Sequence, residues 1–339
     1  MDNNHSRLMN HFDVLTCGSA TVDVFAHTDD AIRKIRAHGS MNEYFVYPVG
    51  AKMMIRSMHS TTGGGGTNTA AAFSLLGLHT GYIGCLGNDP QAALIRHALS
   101  TYSVSFLGHT VEDCSGYSII LDSVSHDRTI LTYKGANNFL TFSKVHVRDV
   151  KTKAFYCSSM VGRSFSAQLQ LCAWAKKQGA LVAYNPSLYQ TKEGLEKLKP
   201  LLKITDVLIF NKDEAKSLVG SAEDRHIITR LQQHVPTVII TDGSHSIFAC
   251  HNHEYYVVHP PKVKVVETTG AGDAFAAGVV AGLVQQKPFE QCLVQGLANS
   301  AGVISKIGAK DGLLSAKTMA KYIKSAKFAH CVERHGHLI

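Results

Sequence analysis

No apolar run in this sequence is long. The most hydrophobic stretch, Ala274–Val284, has eleven residues, against the roughly 20 that a membrane-crossing helix needs. The opening MDNNHSRLMNHF has no apolar core of a secretory leader, so a cytoplasmic protein is expected. None of the eight cysteines forms a C-x-x-C pair, and several sit in apolar surroundings (IGCLG, AFYCSS, LQLCAW). That is the pattern of reduced, buried thiols and not of a disulfide framework. Among the 19 histidines the closest pairs, His251-x-His253 and His335-x-His337, have no Cys or carboxylate cluster at zinc-site spacing, so no structural metal is expected. The charge of +8 (34 Lys and Arg against 26 Asp and Glu) is scattered, with no basic stripe interleaved with aromatics; nucleic acid is not an expected partner. Two nucleotide motifs are missing as well. There is no G-x-x-x-x-G-K-[ST], and the first strand offers only Gly18 where a dinucleotide fold wants G-x-G-x-x-G.

What is present is a 339-residue chain, 45% hydrophobic and 18% charged, without repeats or a Pro/Gly/Ser-rich linker. Its length suffices for one large or two ordinary domains. DVLTCGSATVDVF (13–25) reads as the first strand. Residues 40–60 and 105–135 read as extended segments. Between them lie a helix from Thr67 to Leu76, a strand GYIGCLG, and a helix capped by Asp89 with Pro90 at its first position. From about 153 strands and helices alternate: AFYCSSM, ALVAYNP, DVLIFN and TVIITDG each neighbour a helical segment, SIFACHNHEYYVVHPP reads as a hairpin, and KVKVVE closes the series. Apolar runs of four to six residues between helices are what a parallel sheet covered on both faces requires. The expected fold is a single α/β domain over 1–339, a doubly wound, mainly parallel sheet flanked by helices, with a small β lid from about 26–62 and 105–135.

The stretch VKVVETTGAGDAFAAGVVAGLV (263–284) ends a β-branched run in two glycines and an aspartate before an alanine-rich helix. Glycine leaves no Cβ to block a ligand, and amides at a helix start favour an anion. An aspartate there is at odds with an anion cradle. As a plain helix cap Asp273 needs no further function. The alternative is phosphoryl transfer, which needs at one spot donors for developing charge and an acceptor for the proton of the attacking hydroxyl. A second cluster, TTGGGGTNTAAAF (61–73), puts four glycines before a helix that begins near Asn68. Asn68 is either a cap or a ligand for hydroxyls, and Asp23, at the exit of the first strand, either a surface charge or a second hydroxyl acceptor.

Taken in order, Gly18-Ser19…Asp23, the Gly63–Asn68 cluster, GAN (135–137), NKDE (211–214), TDG (241–243), ETTGAGD (267–273) and ANSAGVISKIGA (298–309) resemble the ribokinase-like (pfkB) family of carbohydrate and nucleoside kinases. The resemblance implies an α/β sandwich with a β lid and an ATP- and Mg²⁺-dependent transfer to a hydroxyl of a sugar or sugar derivative. It implies Asp273 as catalytic base, with Gly270, Ala271 and Gly272 as the anion hole. Asp23, Gly64 and Asn68 would contact the substrate, and Thr241, Gly243 and Asn299 the nucleotide. Asn211 and Glu214 would organise Mg²⁺ through water, though the pair reads equally as a helix capping box. Glu267 stands where the family usually has Asp, which leaves a monovalent cation in question. Asp242, Ser246 and Gly65 also depart, the last from a lysine found in some members. A nucleoside is the alternative acceptor, for which Tyr44, Phe45 and Tyr47 would form an aromatic platform. Arg128 and Arg163 would suit a phosphate already on the substrate. A homodimer through the lid is a further expectation by analogy, and a non-catalytic sensor is the reading from another class.

Overall fold

The computed structural model describes residues 10–28, 33–36, 43–46, 49–122, 128–221 and 223–337. Its largest sheet has ten strands, in the order Val332–His337, Glu254–Val258, Ile247–His251, Thr237–Thr241, Val207–Asn211, Leu181–Asn185, Val150–Ser158, Asn10–Cys17, Thr80–Ile83 and Ser105–Phe106. From Thr237–Thr241 onward every neighbour is parallel, and the three strands at the other edge are antiparallel. The pleat sends successive side chains to opposite faces, and both faces are apolar. Leu15, Phe155, Tyr184 and Leu208 pack with Leu171, Leu201, Leu218 and Ile227 of the helices on one side. Val14, Tyr156, Ala183 and Ile209 pack with Phe73, Phe275, Ala277 and Leu293 on the other. Burial on both faces is why these strands read as unbroken apolar runs, and the doubly wound α/β expectation holds.

A second sheet has four strands, in the order Arg128–Tyr133, Gly116–Asp122, Thr21–His27 and Ser57–Gly63. Ser118, Asp23 and Thr61 stand side by side in its register and therefore on one face. This sheet corrects the expected first strand. Asn10–Cys17 belongs to the large sheet and Thr21–His27 to the small one, so Asp23 lies within a strand of the small sheet. Gly18 sits at the crossing, where a Cβ would lie 1.9 Å from Ser158 Oγ and 2.9 Å from the Gly66 backbone. Similarly, GYIGCLG divides into Thr80–Ile83 and Cys85–Gly87, which pair in different sheets. Ser105–Phe106 edges the large sheet instead of joining the small one.

Two further expectations change. KVKVVE forms no strand: Val265 and Val266 are exposed, and the Val266 N–H donates to the Ile304 carbonyl at 2.7 Å. The helix expected from Thr67 starts earlier, at Gly65, with Gly64 as N-cap at φ +97°. Asn68 is then inside the first turn and caps nothing. The helix Pro90–Thr101 does begin as expected, with Asp89 Oδ1 accepting from the Ala92 N–H at 2.8 Å. Among the described residues no helix is long and apolar enough to cross a membrane.

Candidate active site

Ser158, Asn185, Asn211 and Thr241 are each the last residue of a parallel strand of the large sheet. Carboxyl ends of parallel strands are where open α/β sheets bind ligands, because helix starts and loops converge there. A cavity of ≈ 190 Å³ lies at this edge, lined by Asn185, Asn211, Glu214, Thr241, Gly272 and Asp273 among others. A hollow of ≈ 550 Å³ is larger, but it opens beside Asn10 and Val150, the starting ends of their strands.

The helix Ala271–Val284 points its first turn into the cavity. Gly270 caps it in the left-handed conformation, φ +81°, and a Cβ there would lie 2.7 Å from that of Ala309; glycine alone suits both conditions. The Ala271 N–H donates to the Thr268 carbonyl at 3.2 Å, which corrects its expected place in the anion hole. The amides of Gly272 and Asp273 fall in the first turn, which has no acceptors within the helix, and the space above Gly272 is open to at least 4 Å. Glu267 Oε1 accepts from the Thr268 and Thr269 amides at 2.8 and 2.9 Å and shapes the loop that precedes the helix.

Asp273 Oδ2 accepts from Asn68 Nδ2 at 2.8 Å. Burial raises the Asp273 carboxyl above the ordinary carboxylate range; the Asn68 bond and Lys310 oppose this, and Asp23 adds to it. Asn68 is 5% exposed, and its Oδ1 accepts from Lys310 Nζ at 2.9 Å. Lys310 also donates to the Thr62 carbonyl. Burial drives its ammonium down to about 8 despite the pull of Asp23, Asp273 and Asp311. Asp23 is buried, with Oδ1 lacking a partner among the described residues. Gly63 makes room for it, since a Cβ there would stand 1.8 Å from Asp23 Oδ2. Gly64 lies on the same turn, with Ser19 O 2.4 Å from the place a Cβ would take.

Asn211 and Glu214 form a reciprocal capping box at the start of the helix Lys212–Val219. Glu214 N–H donates to Asn211 Oδ1 and Asn211 N–H to Glu214 Oε2, both at 2.9 Å. The pair is not only a cap, because Asn211 and Glu214 both line the cavity. Burial chiefly, with the neighbouring charges of Asp273 and Asp213, pushes the Glu214 carboxyl up to about 7. A carboxylate in uncompensated negative surroundings, lining a polar cavity, fits Mg²⁺, which keeps several waters and takes one or two carboxylates plus phosphate oxygens. Tyr156 Oη and Ser158 Oγ are buried without partners among the described residues. Burial first, then Asp273, raises the Tyr156 phenol far above its usual range.

Thr241 lines the cavity and Gly243 lies in the exposed turn that follows, at φ +56°. Asn299 does not belong to the site. It is fully buried, its Nδ2 donating to the Ala274 carbonyl at 2.8 Å and its Oδ1 accepting from the Leu314 N–H at 3.1 Å. With both ends of the amide so engaged, it ties the helix Phe289–Val303 to its neighbour and is closed to a nucleotide. Arg163 is exposed on the helix Gly162–Lys177. Tyr47 lies outside the described residues, as do the side chains of Tyr44, Phe45 and Arg128. Nothing in the sequence marks Lys310, which follows the ANSAGVISKIGA stretch by one residue, or Ser118, Tyr156 and Ser158, which stand in unremarkable strands.

The profile of the pfkB family carbohydrate kinases matches residues 33–316. The ribokinase of Haemophilus influenzae is 25% identical over 292 residues, 84% of this chain and 94% of its own length. Adenosine kinase from Sinorhizobium meliloti superposes with a TM-score of 0.77 at 24% identity, covering 91% of this chain and 98% of that one. A putative ribokinase II from E. coli, in complex with ATP and Mg²⁺, superposes with a TM-score of 0.76 at 19% identity, covering 92% and 99%. At these identities the superpositions show a shared fold.

Proposed function

Because the chain belongs to the pfkB family of carbohydrate kinases, which transfer the γ-phosphoryl group of ATP to a sugar hydroxyl, we propose that Asp273 is the general base of that transfer. The observation that carries this reading is the carboxylate of Asp273 on a helix start that opens on the cavity, bonded to Asn68 and flanked by the Gly272 amide. The acceptor lies between the small sheet and that helix start. Its hydroxyls meet Asp23, whose unpartnered oxygen needs a donor, together with Asn68 and the backbone at Gly64. As the new O–P bond forms and the bond from the γ-phosphorus to the bridging oxygen breaks, the hydroxyl proton passes to Asp273 and ADP leaves. The transition state is loose, so the proton is taken late and a modest base suffices. The amides of Gly272 and Asp273, freed by the turn at Gly270, receive charge developing on the phosphoryl oxygens. Thr241 and Gly243 adjoin the nucleotide phosphates. Mg²⁺, when bound, neutralises charge on those phosphates, and Glu214 with Asn211 are the residues that would hold it, through water.

The small sheet acts as the lid over the acceptor. Its exposed Met58, Leu131 and Tyr133 suit a second copy of the chain as partner. A cytoplasmic setting agrees with eight cysteines that are all free, seven of them buried. The reading is tested by coupled ADP release over a panel of sugars, sugar phosphates and nucleosides, in Na⁺ and in K⁺. A K⁺-specific rise would assign a monovalent cation to the Glu267 loop, and preference for a nucleoside would replace the sugar as acceptor. Asp273→Asn is expected to lower kcat by about 10²–10⁴-fold with an unchanged circular dichroism spectrum. Undiminished turnover in that variant would refute the base.

A further inference from the structure

Lys310 is 5% exposed and carries its charge into the space shared by Asp23, Asn68 and Asp273. A buried ammonium is costly unless paired, and an apolar side chain of similar volume often serves stability as well or better. Tying down the Thr62 carbonyl does not require a charge, since a neutral donor meets a carbonyl equally well. The contact to Asn68 Oδ1 differs in what lies beyond it, because the nitrogen of the same amide meets the Asp273 carboxylate.

An amide has an accepting end and a donating end. With Lys310 against its oxygen, the Asn68 nitrogen is turned toward Asp273 Oδ2. The reverse orientation would set N–H against an ammonium and oxygen against a carboxylate, two repulsions in place of two charge-assisted bonds. Resting on the assignment of Asp273 as base, we infer that Lys310 is a positioning residue for phosphoryl transfer: through Asn68 it fixes the Asp273 carboxylate beside the helix-start amides. Asp23, another of the carboxylates that act on the ammonium, comes from the small sheet. Lys310 therefore links the acceptor side of the cleft to the catalytic side. The three side chains come from separate parts of the chain: Asn68 lies 242 residues from Lys310 and 205 from Asp273.

The test is a double-mutant cycle on the full chain with Lys310→Met, Asn68→Ala and both together, read by kcat, KM for ATP and melting temperature. Lys310→Met is expected to lower kcat about 10- to 100-fold, with KM for ATP changed less than about twofold. Added to Asn68→Ala, it is expected to cost less than about twofold more, because its effect passes through that amide. A kcat within twofold of the unmodified chain would overturn the inference, and so would a double variant in which the two losses multiply. If Lys310→Met does not fold, Lys310→Gln, which keeps a donor for Thr62 without the charge, is judged by the same two criteria. A merely structural lysine would lower the melting temperature without the non-additivity in kcat. Failure of the underlying assignment looks different: Asp273→Asn would then turn over normally, whatever the Lys310 variants do.

Discussion

Burial acts in opposite directions on the two ends of the Lys310–Asn68–Asp273 chain, lifting the carboxyl above its ordinary range and bringing the ammonium down to about 8. Both shifts disfavour the charged form, as desolvation does for acids and bases alike. The roles proposed for Asp273 and Lys310 require both charges, so activity is expected to be lost on either side. As pH falls through the raised pKa of Asp273 the base is protonated. As pH rises past about 8, Lys310 is neutralised among Asp23, Asp273 and Asp311 and no longer offsets them. The expected profile of kcat/KM for the acceptor, at saturating ATP and Mg²⁺, is a bell with an alkaline limb near 8. The neighbouring Tyr156 phenol cannot supply that limb, since burial holds it far above this range. A flat profile between pH 7 and 10 would remove the charge of Lys310 from the mechanism.

The helix that presents Asp273 is held by a contact with little tolerance. Gly278, in its middle, faces Gly296 and Gln295 of the helix Phe289–Val303, and a Cβ there would lie 2.7 Å from Gln295 O and from Gly296 Cα. In an exposed helix Gly→Ala stabilises by up to about 1 kcal/mol. Here the sign reverses, because backbone atoms cannot yield as a flexible side chain can, and overpacking costs about 1–3 kcal/mol. Gly278→Val is expected to lower the urea midpoint and to reduce turnover as the helix start moves; a raised midpoint would contradict the packing. The alanines and glycines of this helix were visible in the sequence, and so were the parallel strands, because burial on both faces leaves an unbroken apolar run between helices. The division of residues 13–25 between two sheets was not visible. Alternation continues through Thr21–His27, and only the crowding of Gly18 against Ser158 and Gly66 marks the crossing. The loop proposed as catalytic could be read because its pattern is local to seven residues, ETTGAGD. Lys310 could not, because its meaning comes from Asn68 on the far side of the fold. Asn299 misled for the converse reason: an amide suits a ligand and a helix–helix tie equally, and only burial separates the two.

The small sheet poses the question of what covers it. Leu131 and Ile119 stand side by side in its register, and the pleat places Met58 on their face. Their exposures of 53, 38 and 68% are high for residues that gain about 25 cal/mol for each Å² of apolar surface removed from water. Two strands at the sheet margins, Arg128–Tyr133 and Ser57–Gly63, also leave one edge each without a neighbour in that sheet among the described residues, and open edges invite pairing. The second copy of the chain proposed as partner would answer both needs with one isologous contact, since each small sheet would offer the other the same patch. The acceptor side of the cleft would then rest on the partner's lid. Light scattering on the unmodified chain is expected to give the mass of two chains. The double variant Met58→Asp/Leu131→Asp is expected to give one, with the large sheet unaffected and the melting temperature of the main domain nearly unchanged. Because Asp23 and Thr61 belong to the same four strands, loss of the partner should raise KM for the acceptor while leaving KM for ATP, for which we propose a place at the strand ends of the large sheet, close to its starting value. A monomeric unmodified chain would rule out the second copy, and equal changes in both constants would separate the lid from acceptor binding.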